Sequence, residues 1–288
     1  MKKVILSTAL LLALGTSAGF AQTKNRQNTK HITNLSAKQK AEALLKSLET
    51  GDAVANGYIN PDKYIQHNLN VPNGIEAFLA FKEVTSKAGG KITLARVFQD
   101  GDYVFIHSAT KLHGDEIGFD IFRFEKGKIV EHWDNLQTAA DKTANRHTLI
   151  DGATKITDRN KTAANKALVK EFVEKFLVNG DVSIVPDYLQ KEGYIQHNPN
   201  IGDGITGLQA ALKYFAENKI GFRYTKIHKV LGEGNFVLVV SEGEMAGVHS
   251  SFYDLFRVEN NKIAEHWDTI ESIPATSEWK NQNGKFGF

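Results

Sequence analysis

Two short phrases in this chain occur twice. Tyr64-Ile65-Gln66-His67-Asn68 returns as Tyr194-Ile195-Gln196-His197-Asn198, and Glu131-His132-Trp133-Asp134 returns as Glu265-His266-Trp267-Asp268. The first pair is 130 residues apart and the second 134. A nearly constant offset over that span marks a duplicated unit. The fold therefore has to accommodate two related halves, and 288 residues suit two domains of ordinary size.

Each half reads as helices first and strands after. Ser36 is placed to cap a helix carrying Ala41, Leu44, Leu45 and Leu48, an i, i+3, i+4, i+7 stripe that ends at Gly51-Asp52. Its counterpart carries Leu168, Phe172, Val173 and Phe176 and ends at Gly180-Asp181. After each YIQHN phrase a glycine turn, Asn73-Gly74 or Asp203-Gly204, opens a second short helix. Four strand-like runs then follow in each half, with turns at Asp100-Gly101-Asp102 and Lys126-Gly127, and at Glu233-Gly234-Asn235 and Asn260-Asn261. The fold class is α+β: N-terminal helices packed on a curved antiparallel sheet, twice. The domains span 36–140 and 161–275, joined by a polar linker, 141–160, and followed by a tail, 276–288. A curled sheet with one open end makes a deep pocket, the usual form of a small-molecule site.

The first 21 residues have the form of a secretory signal. Lys2 and Lys3 precede an apolar run from Val4 to Leu14, and Gly19-Phe20-Ala21 offers a cut before Gln22, ahead of a polar leader, 22–35. The run is shorter than the roughly 20 residues a bilayer requires. The expected location is periplasmic or secreted, with no membrane span once the signal is gone. Cysteine is absent, which excludes disulfides and thiolate chemistry. Without Lys2 and Lys3, 33 basic residues balance 33 acidic ones, so nothing draws the chain to nucleic acid.

Strand alternation selects the residues able to do chemistry. His132 and Asp134 share one face of their strand, as do His266 and Asp268. Asp120 lies on the face of Phe122 and Phe124, and Asp254 on that of Phe256 and Val258. An aspartate among large apolar side chains faces a core or an apolar cavity, where burial makes it a stronger base. Asp120 and Asp254 are thus candidate general acid/base groups, with His132, His266, His67 and His197 as candidate catalytic imidazoles. Gln66, His107, Asp134 and Phe122, with Gln196, Asp268 and Phe256, are candidate substrate contacts. His67 and His197 equally fit a loop-locking hydrogen-bond network. Trp133 and Trp267 are expected in packing or at an interface, and Glu131 and Glu265 on a solvated outer face. The histidines His67, His107, His113 and His132 do not follow a metal-ligand spacing, and Val240 stands where the first half has His107. No metal or other cofactor is expected. No GxSxG nucleophile motif or glycine-rich phosphate loop is present.

The phrases YIQHN, DIFRFEKGKIVEHWD and DLFRVENNKIAEHWD, set in this order of helices and strands, resemble the SnoaL-like polyketide cyclases, in particular the branch described as predicted SnoaL-like aldol-condensation enzymes. That family lies within the NTF2-like superfamily of cone-shaped α+β barrels. The resemblance covers about 36–140 and 161–275. It implies cofactor-free acid/base chemistry on a carbonyl compound, by a pocket aspartate whose matching positions are Asp120 and Asp254, with His132 and His266 nearby. It also implies pairing through the sheets, so that the tandem would form an internal pseudo-dimer. The export signal departs from the cytosolic setting of polyketide cyclases and leaves the substrate open. Two other functions are compatible: a non-catalytic module binding a small apolar ligand, and an epoxide hydrolase, which needs an Asp-Arg-Asp set that Arg123 and Arg257, on the opposite strand face, do not supply.

Overall fold

The computed structural model describes residues 35–112 and 114–288. The signal sequence, the leader up to residue 34 and His113 lie outside the described residues. Among those described, no helix is long and apolar enough to cross a membrane.

The first half contains α1 (Ala37–Thr50), β1 (Ile65–Gln66), α2 (Ile75–Lys87), β2 (Lys91–Asp100), β3 (Tyr103–Lys111), β4 (Asp115–Glu125) and β5 (Lys128–Thr138). The second contains α3 (Thr162–Phe172), α4 (Val185–Tyr188), β6 (Ile195–Gln196), α5 (Gly204–Glu217), β7 (Phe222–Glu233), β8 (Phe236–Met245), β9 (Val248–Glu259) and β10 (Lys262–Ser272). The two sheets have the same order, β1-β5-β4-β3-β2 and β6-β10-β9-β8-β7. The edge strands β1 and β6 run parallel to β5 and β10, with Gln66 opposite His132 and Gln196 opposite His266. The two repeated phrases are therefore neighbours in space.

The first of several insertions in the second half falls in its first helix. Ala41, Leu44, Leu45 and Leu48 are buried on α1, and Val169, Phe172, Val173 and Phe176 are buried 128 residues later. Gly51 and Gly180 are 129 apart. The extra residue falls in a π-helical stretch, Val173–Val178, whose wider turn takes in one more residue without rotating the buried stripe.

The outer faces of the two sheets pack on each other. Phe98, Phe105, Phe119 and Trp133 meet Phe236, Leu238, Tyr253 and Trp267 in one buried cluster. Backbone groups are satisfied across this seam in matched pairs: Leu136 N donates to Glu271 Oε2 and Ile270 N to Gln137 Oε1, each at 2.9 Å. The seam corrects the expectation for Glu131 and Glu265. Both are buried, because the outer sheet face is covered by the other half rather than by water. Arg123 and Arg257 neutralise them, at 2.6 and 2.7 Å from Nε.

The linker and the tail are equivalent straps, each laid across the opposite half. Asn145 donates its amide to Asn198 O (2.7 Å) and Ile201 O (2.9 Å); Asn281, 136 residues on, donates to Asn68 O (2.7 Å) and Val71 O (2.9 Å). His197 Nδ1 meets Thr148 O at 2.9 Å, and His67 Nδ1 meets Gly284 O at 2.7 Å. Arg96 holds the first strap through Ala153 O (2.7 Å) and Ile150 O (3.0 Å), with its guanidinium 4.1 Å over Trp267. On the second strap Phe288 stacks on Trp133 at 4.5 Å, and Phe286 on His228 at 4.2 Å. Glu233 ties the halves at another point, accepting from Gln99 N (2.8 Å), Lys38 and Arg159.

Two outcomes follow for stability. Asn145→Ala or Asn281→Ala leaves two carbonyls without their donor and should cost about 1–3 kcal/mol in urea unfolding. Burial pushes the Glu233 carboxyl up, but its bonds to Lys38, Gln99 and Arg159 outweigh this and hold it below 4.5. A depressed folded-state pKa gives stability that is present above the unfolded value and lost as pH falls through the folded one. The stability gap between wild type and Glu233→Gln should therefore narrow as pH falls below about 4.5, read by thermal melts across pH 3–7.

Candidate functional site

Each sheet curls round its helices to enclose a cavity, of about 400 Å³ in the first half and about 840 Å³ in the second. Cross-strand register sets the polar end. Asp120 lies opposite Asp134 and Phe122 opposite His132; Asp254 lies opposite Asp268 and Phe256 opposite His266. All eight line the cavities, together with Gln66 and Asn68, or Gln196 and Asn198. The remaining wall is mostly apolar, with Leu45, Leu48 and Phe78 in one half and Phe172, Phe176 and Leu208 in the other.

The hydrogen bonds are the same twice. His132 Nδ1 lies 3.0 Å from Gln66 Oε1, and Nε2 lies 3.0 Å from Asp120 Oδ1. His266 stands at the same distances from Gln196 Oε1 and Asp254 Oδ1. Each glutamine oxygen also accepts from a backbone N–H, of Asn68 or Asn198, at 2.8 Å. This fixes the amide orientation, so Nδ1 must be the donor. Nε2 then faces a carboxylate oxygen, and one proton is shared between the imidazole and the aspartate. Asn68 and Asn198 each donate to one oxygen of Asp134 or Asp268 at 2.7 Å. The other oxygen, Oδ1, is buried and accepts no hydrogen bond in either half.

Burial dominates the electrostatics. It raises the Asp120 carboxyl, against the opposing pull of His132, and raises that of Asp268, helped by the charge of Asp254. Burial pulls the His266 imidazole down, but its bond to Asp254 and the charges of Asp268 and Asp254 outweigh this and hold it above 6.5. The Tyr64 and Tyr194 phenols are held far above their usual range, by burial first and then by the neighbouring aspartates. Both remain protonated donors on the cavity wall, and Tyr64 Oη has no hydrogen-bond partner. The second half adds Tyr224, whose hydroxyl donates to Asp254 at 3.1–3.2 Å. Sheet register puts Ile92 at that place in the first half.

Three expected site residues lie elsewhere. His67 and His197 are outside the cavities: each ring stacks on a tryptophan at 4.6 Å, Trp133 or Trp267, and faces Glu131 or Glu265 at 3.0 or 2.9 Å. One residue past the glutamine that lines the cavity, alternation turns them to the seam. His107 also faces the seam, stacked on Phe119 at 4.2 Å and 3.2 Å from Arg96. Sequence reasoning missed Tyr64, Tyr194 and Tyr224 as donors. The first two stand in the repeated phrase, two residues before the glutamine and so on its face. No arginine lines either cavity among the described residues.

Residues 169–266 match the SnoaL-like domain. No curated protein sequence matches the chain. Among solved structures, one similar protein is an NTF2-like protein of unknown function from Cytophaga hutchinsonii, 14% identical, covering 36% of this chain and 92% of that one at a TM-score of 0.32. A second is IdmH, a candidate polyketide cyclase from Streptomyces antibioticus, 19% identical, covering 36% and 93% at 0.31. A third is an LEH-like epoxide hydrolase from M. tuberculosis, 17% identical, covering 35% and 82% at 0.30.

The tautomer can be read directly. In ¹⁵N-resolved NMR, His132 and His266 should both carry a proton on Nδ1. Gln66→Leu and Gln196→Leu should each release the tautomer of their own histidine alone and cost about 1–3 kcal/mol for the buried donors left unpaired.

Proposed function

We propose that the SnoaL-like domain at 169–266, and its counterpart in the first half, perform cofactor-free acid/base chemistry on a small carbonyl compound in an exported protein. The observation that carries this is the Asp–His pair at the polar end of an apolar cavity, with its imidazole oriented by a glutamine whose own orientation is fixed. A carbon acid needs a base that is not solvated and a donor at the oxygen where charge develops. The pair, in its proton-free form, removes a proton from the carbon beside a carbonyl and holds it between Asp254 Oδ1 and His266 Nε2. Protonated Tyr194 faces the enolate oxygen. Return of the proton to another carbon gives an isomer. Attack of the enolate carbon on a second carbonyl of the same molecule closes a ring, and the held proton passes to the new alkoxide. Every atom is kept, so no cofactor is required.

The two halves, packed through their sheets, form an internal pseudo-dimer in this reading, with one cavity each. The export signal at Lys2 to Ala21 places the reaction in the periplasm or outside the cell. A binding role without turnover is the second reading, and the first half favours it: its cavity has half the volume, and Ile92 replaces the tyrosine that bonds the aspartate. An epoxide hydrolase is disfavoured, since Arg123 and Arg257 are committed to Glu131 and Glu265.

The test begins with the small molecules that copurify, identified by native mass spectrometry, followed by deuterium uptake beside their carbonyl in D₂O. Asp254→Asn should lower exchange by about 10²–10⁴-fold with binding retained. Asp120→Asn should have a smaller effect on the total. Bound carbonyl ligand with no exchange above background in wild type would leave only the binding role.

A further inference from the structure

The polar end of the second cavity gathers three side chains able to ligate a metal, with no lysine or arginine among them. Gln196 holds the Nδ1 proton of His266, so Nε2, 3.0 Å from Asp254 Oδ1, is the nitrogen left to ligate once the shared proton is displaced. Asp268 lies across the strand pair from Asp254, and its Oδ1 is buried with no hydrogen-bond partner. Ligand atoms of the three side chains all lie within 4.8 Å of one another. The first half repeats the cluster with Asp120, His132 and Asp134, but the tail strap brings a cation to it. Lys285, its side chain 3% exposed, places Nζ 3.7 Å from Asp134 Oδ1 and 2.7 Å from Glu271 Oε2. The register of the straps, with Asn145 matching Asn281 and Thr148 matching Gly284, puts Leu149 where Lys285 stands, and Gln137 takes the place of Glu271. Asp268 therefore has no such ammonium.

We propose that Asp254, His266 and Asp268 form a binding site for one divalent transition-metal cation of the Zn²⁺ type, and that Lys285 keeps the matching cluster of the first half from binding one. A single imidazole with two carboxylates is a mixed nitrogen and oxygen set, which suits Zn²⁺ better than the oxygen-seeking Mg²⁺. Gln196 on Nδ1 is the outer partner that fixes a ligating histidine, and Tyr224 does the same for Asp254. The cavity of about 840 Å³ beside the cluster leaves positions open for water or a ligand oxygen. The inference shares the His266 tautomer with the acid/base reading, and the cation takes the place of the shared proton. A third group, His147, Asp151 and His197, is the natural competitor, but His197 Nδ1 is already engaged by Thr148 O at 2.9 Å.

The experiment is equilibrium dialysis of the chelator-treated chain against Zn²⁺ or Mg²⁺, with bound metal counted by mass spectrometry and folding checked by circular dichroism. Wild type should retain one equivalent of Zn²⁺ and no Mg²⁺. Asp268→Asn should retain none, and His147→Asn should still retain one. The double variant Lys285→Leu/Glu271→Gln, which gives the first half the neutral pair of the second, should retain two. Zn²⁺ kept by folded Asp268→Asn, or not retained by wild type, overturns the site; one equivalent in the folded double variant overturns the role of the lysine. Loss of Zn²⁺ binding with His266 still protonated on Nδ1 leaves the acid/base reading standing, whereas a proton on Nε2 alone removes both.

Discussion

A single strand in each half supplies both the polar end of the cavity and the seam. Alternation along β5 sends His132 and Asp134 into the cavity and Glu131 and Trp133 into the layer between the sheets, and β10 does the same with its own four residues. A slip of one residue would exchange the two sets and place carboxylates against Phe236 and Leu238, so register is strongly specified. The faces are also coupled mechanically. Trp133 packs His67, His67 follows Gln66 on the edge strand, and Gln66 orients His132. Packing at the seam thus reaches the cavity imidazole through one ring stack, one step of chain and one hydrogen bond.

The straps make that coupling reciprocal. The linker supplies the carbonyl that fixes His197, and the tail supplies the one that fixes His67. The second cavity is also lined by Gln137 and Ala144, from the end of the first sheet and from the linker. The first cavity, by contrast, is lined by its own half alone, from Leu45 to Leu136. Each histidine pays the cost of burial through a carboxylate on one nitrogen and a strap carbonyl on the other, with a tryptophan on its face. This is a positioning role, and it explains why the histidine of YIQHN is repeated although it touches no cavity.

Much of this was legible in the sequence because it rests on period-two alternation and on the repeat. The α+β layering, the two sheets, and the placing of Asp120, His132, Asp134 and Phe122 with their counterparts on cavity-facing positions all follow from those signals. What escaped had non-local causes. Glu131 and Glu265 look solvent-facing until the second sheet covers them. His107 sits on the opposite face to Ser108, so alternation along β3 turns Ser108, and not His107, to the cavity. The straps were invisible because their signal is sparse: Asn145 and Asn281 match, while the aromatic residues of the tail have no counterpart in the linker. Tyr224 was missed because Ile92 holds its place in the other half, and the repeat was the guide.

The halves have diverged around their cavities and in their seam, where Leu238 stands for Phe105 and Val240 for His107, while each face keeps a fixed set. Paired backbone bonds at Leu136 and Ile270, stacked Trp133 and Trp267, and twin arginine–glutamate pairs persist in both. Around the inner carboxylates the change is concerted: Lys285 and Glu271 on one side correspond to Leu149 and Gln137 on the other. Losing a cation or an anion alone would leave a buried charge without its partner, at a cost of several kcal/mol, whereas exchanging both for neutral groups of similar size is nearly free. That double exchange is therefore the accessible route by which two copies held to one architecture acquire different electrostatics at the same cavity position. It leaves Asp134 within reach of an ammonium and Asp268 with an uncompensated oxygen, in the larger cavity and beside the added tyrosine.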